Sequence, residues 1–442
     1  MRILGSDPIA PLLLAALLAC PPAFAESVPA SGLLSLDGAV KEGESRSPKV
    51  LKAEAAFEAS AWKKTETLSG FLPSINLSAN HFFAEKYQFL DINFGGNPAT
   101  IPQIFPFTSA TLDARLPLFD GLQNVRRYSA ANLQKDASEN DLTWTRFQVE
   151  QEVRLRFLQA LAAERLERVS EQNLTTIQDH LNQTQNLRKG GVATNFDVLR
   201  VEVQLNEAKS EVLQAQDNVY LARQRLANSM GLPGDDRPLQ GELPTPDASI
   251  VESVQKPTTP LRADLIAQER RTQAASDFES SRAAYWVPKL SLGAQYIEYN
   301  NLTRSMTDSS RFRSAYSVGV FLNWNLFDGM TSIALARQAF YERVQAENSL
   351  EQSRLQLPYD LNFWKRRYVY SSTLYRAKRS DIEKAQESVR LATEGFRAGA
   401  RTSTEVLDAE LDLFRARAGV VNAQTSSLEA LINLELALGR RI

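Results

Sequence analysis

Gly399-Ala400-Arg401-Thr402-Ser403-Thr404-Glu405-Val406-Leu407-Asp408-Ala409 opens a stretch that runs to Gly439 and decides how the chain is read. Within it Val406, Ala409, Leu413, Ala416, Val420, Ala423, Ser427, Ala430, Leu434 and Ala437 recur at spacings of three and four, the seam by which one helix packs on another in a coiled coil. The same rhythm occurs 208 positions earlier, in Val198, Val201, Leu205, Ala208, Val212, Ala215, Val219, Ala222 and Leu226. Small seam residues let neighbouring helices approach closely. Each copy follows a glycine turn, Gly190-Gly191-Val192-Ala193-Thr194 in the first and Gly399-Ala400-Arg401-Thr402 in the second. The chain is a tandem duplication of a helical hairpin.

Outward from each seam, the pattern stays helical for a long way. From Phe119-Asp120-Gly121 to Lys189 there is no proline, and at about 1.5 Å per residue this arm spans roughly 100 Å, far beyond a globular domain. Val149, Val153, Phe157 and Leu161, then Leu174, Ile177 and Leu181, mark its buried side. Phe327-Asp328-Gly329 repeats the opening of this arm at the same offset of 208. The second arm differs by carrying Pro358, where the first has Glu150, and a kink or short break is expected there. Hairpins are thus expected over about 121–230 and 329–438.

Ahead of each arm lie a helix, from about Ser47 to Ser69 and from about Leu261, and then strands. Ile75, Leu77 and Ala79 alternate with polar residues, as do Ala110, Leu112, Ala114, Leu116 and Leu118. In the second half Leu290, Leu292, Ala294 and Tyr296, then Tyr316, Val318, Val320, Leu322, Trp324 and Leu326, behave alike. Strands are expected at about 74–84, 108–118, 289–299 and 314–326, with a surface loop over about 84–107. Alternation of this kind suits a lipid-facing sheet, with Trp286, Tyr296, Tyr316 and Trp324 as interfacial aromatics, and it equally suits a half-buried soluble sheet. Four strands cannot close a barrel by themselves, so membrane placement would require several protomers.

Residues 1–25 carry Arg2, an apolar run from Leu12 to Ala19 and Ala23-Phe24-Ala25, and read as an export signal cleaved after Ala25. Cys20, the only cysteine of the chain, stands in Leu17-Leu18-Ala19-Cys20, a loose likeness to a lipidation site in which Leu18 fits poorly. Beyond this segment no run of about 18 apolar residues occurs, so any membrane crossing must use strands. Two halves are expected, residues 26–230 and 261–442, joined by a linker over 231–260 that carries Pro233, Pro238, Pro244, Pro246, Pro257 and Pro260.

Composition narrows the function. The formal net charge is -2 with 23% charged residues, so no basic excess points to nucleic acid. His81 and His180 are the only histidines, without ligand spacing, so no metal site is expected, and His180 is read as a solvated or packed helix residue. No phosphate-cradling loop occurs, so nucleotide hydrolysis is not expected; no catalytic residue and no cofactor is assigned. A coiled-coil adhesin or scaffold would account for the helices but leave the strands between them unexplained.

The order helix, strand, strand, long helix, glycine turn and seam helix, given twice after an export signal, resembles the TolC family of outer-membrane efflux proteins. The residues that carry the likeness are Leu34-Ser35-Leu36-Asp37-Gly38-Ala39-Val40, Phe71-Leu72-Pro73-Ser74, Leu118-Phe119-Asp120-Gly121, Gly191-Val192-Ala193-Thr194-Asn195-Phe196-Asp197-Val198-Leu199, Leu326-Phe327-Asp328-Gly329 and the stretch from Gly399 to Ala409. The resemblance implies a mainly α chain with a membrane β-barrel: a homotrimer with a twelve-stranded barrel in the outer membrane of a Gram-negative bacterium, continued by a helical tunnel through the periplasm. It implies a periplasmic adaptor protein and an inner-membrane transporter as partners, with the turns at Gly190, Gly191, Val192, Ala193, Gly399 and Ala400 meeting the adaptor. It also implies a gate at the far end of the hairpins. There Glu405 and Asp408 would point into the lumen as rings of negative charge, and Asp197 would pair with Arg401. Arg200 stands where Asp408 stands in the second copy, so six-fold equivalence at this end is not expected.

Overall fold

The computed structural model describes residues 32–84, 87–104, 106–247, 262–303 and 305–442. The expected export signal, Cys20 and the later part of the linker, residues 248–260, lie outside the described residues. Seven α-helices and six strands are described. In chain order they are α1 (Leu36–Arg46), α2 (Pro48–Leu68), β1 (Ser74–His81), β2 (Tyr87–Phe94), β3 (Asn97–Ile104), β4 (Thr108–Phe119), α3 (Gln123–Lys189), α4 (Asn195–Met230), α5 (Ala263–Ala283), β5 (Lys289–Asn300), β6 (Arg313–Asn323), α6 (Thr331–Arg397) and α7 (Ser403–Leu438). α3 and α6 are 67 residues each and begin and end 208 positions apart, as do α4 and α7, of 36 residues each.

The Phe-Asp-Gly motif ahead of each arm is a helix start. Asp120 Oδ2 accepts from the Asn124 N–H at 2.8 Å, and Asp328 Oδ2 accepts from the Ser332 N–H at 3.1 Å, so each carboxylate satisfies an N–H that the first turn leaves free. The chain enters the helix through two successive left-handed residues, Gly121 (φ 72°) and Leu122 (φ 65°), and likewise Gly329 (φ 68°) and Met330 (φ 69°). At Gly121 a Cβ would also stand 2.8 Å from Val287, so both backbone sign and space require glycine.

β1, β4, β5 and β6 form one antiparallel sheet in the order β1-β4-β5-β6, with β1 and β6 as its open edges. In this register Leu77, Leu112, Tyr296 and Tyr316 lie side by side, as do Ile75, Ala114, Ala294 and Val318, and then Leu116, Leu292 and Val320. The pleat puts these three rows on one face. Their outer members are bare in the chain: Ile75 and Leu77 are 70% exposed, Val318 70% and Tyr316 84%. The opposite face carries Asn76, Asp113, Gln295 and Ser317 in one row, with Gln295 Nε2 donating to Asp113 Oδ1 at 2.9 Å.

The core lies where the helices gather below the sheet. Val149, Val153, Phe157 and Leu161 of α3 pack with Val50 of α2, Leu226 and Met230 of α4, and Val421, Leu428 and Ile432 of α7. α1, at Leu36–Arg46, brings Ala39 and Val40 into this cluster, and Leu34 just before it bridges to Leu239 in a parallel pair. The early linker is strapped to the same place, because Gln424 Nε2 donates to the carbonyls of Leu243 and Pro244 at 2.9 and 3.0 Å. Seam positions Val198, Val201, Leu205, Ala208, Val406, Ala409, Val420, Ala423, Ala430 and Leu434 are all buried. Among the described residues no helix is long and apolar enough to cross a membrane.

Two expectations are corrected. The segment read as a loop over 84–107 contains a hairpin, β2 paired antiparallel with β3 around Gly95 (φ 58°) and Gly96 (φ 94°). The prolines at 98 and 102 concealed it, and both are tolerated because each strand of this two-stranded ribbon is an edge. The second concerns the alternative of a short break at Pro358, which does not occur: α6 is continuous from Thr331 to Arg397. Pro358 lies at an exposed position, where water can take the carbonyl that loses its partner, and the helix is held by packing along the rest of its length.

Candidate functional site

The far end of the two hairpins is built alike twice. After Lys189 the chain turns at Gly191 (φ 78°), with the Val192 N–H returning to the Leu187 carbonyl at 2.9 Å; after Arg397 it turns at Gly399 (φ 70°), with the Ala400 N–H returning to the Gly395 carbonyl at 2.8 Å. These are glycine-terminated helix ends in which the left-handed residue lets later N–H groups cap the last carbonyls. A reciprocal cap then starts each return helix. The Thr194 hydroxyl accepts from the Asp197 N–H at 3.2 Å while Asp197 Oδ2 accepts from the Thr194 N–H at 2.9 Å. In the second copy the Glu405 N–H donates to the Thr402 hydroxyl at 3.3 Å, and Glu405 Oε2 accepts from the Thr402 N–H at 2.8 Å.

These caps reassign the charges at the tip. Arg401 Nη1 stands 3.4 Å from Glu405 Oε1, one turn away on its own hairpin, and Asp197 is taken up by Thr194. The expected pairing of Asp197 with Arg401 is not made within the chain, because each acid closes its own helix start instead. Hydrogen bonds from the Thr402 N–H and hydroxyl, with Arg401 nearby, hold the Glu405 carboxyl below the usual carboxylate range. Glu405 and Asp408 are both exposed and three residues apart, so they share one face of α7 and give it a short acidic stripe. Of the residues at the turns, Gly190, Gly191, Val192, Gly399 and Ala400 are exposed, and Ala193 is buried at 9%.

A second cluster, one to three turns inside the tip, links the two hairpins. His180 of α3 is buried, and its Nε2 stands 3.0 Å from the Ser403 hydroxyl while its Nδ1 stands 3.4 Å from Glu410 Oε1, both on α7. Its ring stacks on Phe396 of α6 at 5.8 Å between centroids and 13° between planes. The other oxygen of Glu410 is buried with no hydrogen-bond partner among the described residues. Around the cluster Leu407 packs with Ile177, Leu181 and Val198, and Leu187 packs with Phe396 and Val406. Of the two expected states His180 is the packed one, and its partners on α6 and α7 make it a joint between the first hairpin and the second. The sequence did carry a signal for this, since His180 lies beside Ile177 and Leu181 on the buried stripe, and Glu410 sits at helical spacing from Val406 and Leu413.

Neither end of the molecule holds a catalytic arrangement among the described residues. What the geometry provides is a sheet with an apolar face and two open edges, set on helical arms about 100 Å long whose ends are tied by caps and one buried polar link. The profile of the outer membrane efflux protein family matches residues 39–232 and 261–440, most of both halves. The chain belongs to that family. It is an outer-membrane channel protein of the TolC kind, with strands in the outer membrane and helices extending into the periplasm, and its family is one of channels and not of enzymes. The outer membrane protein TolC of Vibrio cholerae serotype O1 is 23% identical over 94% of this chain and 92% of its own length. The pyoverdine export outer membrane protein OpmQ of Pseudomonas putida is 25% identical over 75% of this chain and 71% of its own. Among solved structures, the outer membrane protein VceC from Vibrio cholerae has the same fold, with a TM-score of 0.77 at 17% identity, covering 92% of this chain and 96% of that one.

Proposed function

We propose that three copies of this chain assemble into one conduit, which takes cargo from an inner-membrane transporter through a periplasmic adaptor and passes it across the outer membrane without chemistry of its own. The observation that carries the reading is the four-stranded sheet with bare edges at β1 and β6 and apolar rows across one face. In lipid every backbone N–H and C=O needs a partner, so β6 of one copy must pair with β1 of the next until the ring closes. Two copies would supply about eight strands, a barrel just wide enough for its own side chains to fill, whereas three supply about twelve and leave a water-filled lumen. In this reading residues 26–230 and 261–442 are the two repeats of each protomer, behind a cleaved signal at 1–25 and joined by a linker at 231–260.

At the periplasmic end, the turns at Gly190–Ala193 and Gly399–Ala400 are the surface offered to the adaptor, and Glu405 and Asp408 of three copies give rings of negative charge around the narrowed lumen. Cations would be favoured there. Reconstitution of the purified protein in planar bilayers tests the reading: discrete single-channel steps with cation preference are expected, and a protein that inserts but conducts nothing at any voltage would overturn it.

A further inference from the structure

The two faces of the sheet differ in charge as well as in polarity. By the pleat, the wet face carries Arg115 of β4, Lys289 of β5 and Arg313 of β6 against a single acid among the described residues, Asp113, whose carboxylate already accepts from Gln295. Arg115 lies over the ring of Phe321, on the same face, at 5.7 Å, and none of the three cations makes an ion pair among the described residues. At the foot of this face Lys289 and Asn323 stand opposite each other, and both line a cavity of about 260 Å³ where the sheet meets the helices. The helices add Arg127 of α3 and Ser281 and Arg282 of α5, and no carboxylate lines it. Arg127 and Arg282 are likewise without an ion pair among the described residues. The acids nearest in the chain are engaged elsewhere: Asp277 with Arg126 and Ser129, Glu279 with Arg343, and Asp328 with the backbone and hydroxyl of Ser332.

Ser281 supplies an independent observation. It is 1% exposed, lines this cavity, and its hydroxyl has no hydrogen-bond partner among the described residues. Buried hydroxyls almost always have a partner, so one left without points to a group that arrives from outside. Three unneutralised cations beside such a hydroxyl are the donor set of a phosphate-type oxyanion. The register says from which side it comes. Lys289 and Asn323 lie on the wet face with Gln295 and Ser317, opposite the apolar rows, so the cavity is reached from water, and in the ring of copies proposed above that water is the lumen.

We propose that this cavity binds the phosphate-type oxyanion group of a solute inside the conduit, one per chain, between Arg127, Arg282, Lys289 and the Ser281 hydroxyl. The inference rests on reading the wet face as the wall of the lumen. Repeated around the ring, these cavities give the joint between sheet and arms a positive collar, opposite in sign to the acidic stripe of Glu405 and Asp408 at the tip, so an anionic group that has passed the tip is held here before it enters the barrel.

The test is equilibrium dialysis of the detergent-solubilised protein at low ionic strength against labelled inorganic phosphate and, in a second arm, against labelled glycerol 3-phosphate. The wild type should take up either to one per chain. Lys289→Gln, at an exposed position, should weaken uptake about fivefold, and Ser281→Ala, which removes only the unpartnered hydroxyl, by about the same factor. Arg313→Gln, at the far end of the same face, should leave uptake unchanged. Uptake unaltered in Lys289→Gln or in Ser281→Ala, or lowered equally by Arg313→Gln, would overturn the site. Uptake of inorganic phosphate without glycerol 3-phosphate would overturn its assignment to a group carried by a solute. In planar bilayers phosphate should reduce the current of the wild type and not that of Lys289→Gln. Binding with the current untouched would overturn the lumenal position, whereas binding by a protein that shows no channel steps at all would contradict the conduit and keep the site.

Discussion

Asp120 and Asp328 show how a single side chain sets the start of an arm. Each accepts a free N–H in the first turn of a helix about 100 Å long, at 2.8 and 3.1 Å. Replacing either by alanine should cost about 1 kcal/mol, the usual worth of such a cap, and would be seen as earlier conversion of oligomer to monomer on heating in detergent. Gly121→Ala should cost more, because it forces a left-handed backbone and places a Cβ 2.8 Å from Val287. Glu405 gives a pH prediction. Its folded carboxyl is held below the ordinary value of 4.5 by bonds from the Thr402 N–H and hydroxyl, so the cap contributes fully above that value and is lost as pH falls through the lowered one. Hydrogen-exchange protection at Ser403–Val406, taken relative to the intrinsic rate at each pH, should therefore be full at pH 5 and fall only under stronger acid, and Glu405→Gln should remove that dependence. The motifs themselves were legible in the sequence, but their work was not. Asp197 was expected to reach Arg401, and spacing alone does not reveal that within the chain a threonine three residues earlier takes up each acid at the helix start.

The elements divide into those that periodicity fixes and those that need a partner to be understood. The seams of α4 and α7 stood out because a repeat of three and four is periodic over 36 residues, and the alternation of β4, β5 and β6 because period two holds over 11 or 12. β2 and β3 did not, since prolines at 98 and 102 mask the pattern, and α1 did not, being only 11 residues. Two adjacent residues of β6 test the faces: Val318→Arg should destabilise by about 2 to 4 kcal/mol near the bilayer midplane, while Ser317→Arg on the wet face should be tolerated, read as the yield of folded protein in the outer membrane. His180 tests the joint between hairpins. Its link to Glu410 and Ser403 spans α3 and α7, so His180→Ala leaves buried polar groups without a partner, at a cost of about 1 to 3 kcal/mol. Because that joint ties the first hairpin to the second near the tip, the same change should raise channel conductance, and unaltered conductance would assign the cluster to packing alone.

For the whole molecule, a tandem repeat at an offset of 208 made the architecture legible, and two bare sheet edges make it incomplete as a single chain. The sequence has no residue that names the number of copies; that follows from the width a barrel needs to hold water. At the tip, Glu405→Ala with Asp408→Ala should reduce cation preference in planar bilayers, and Arg401→Ala, which frees Glu405 from a neighbour at 3.4 Å, should increase it. All of this rests on β6 of one copy joining β1 of the next. The most direct measurement is the protein mass of the detergent-solubilised particle by light scattering with the detergent contribution removed. The account predicts three chains of 49.3 kDa less any cleaved signal, and a monodisperse particle of one chain would contradict it.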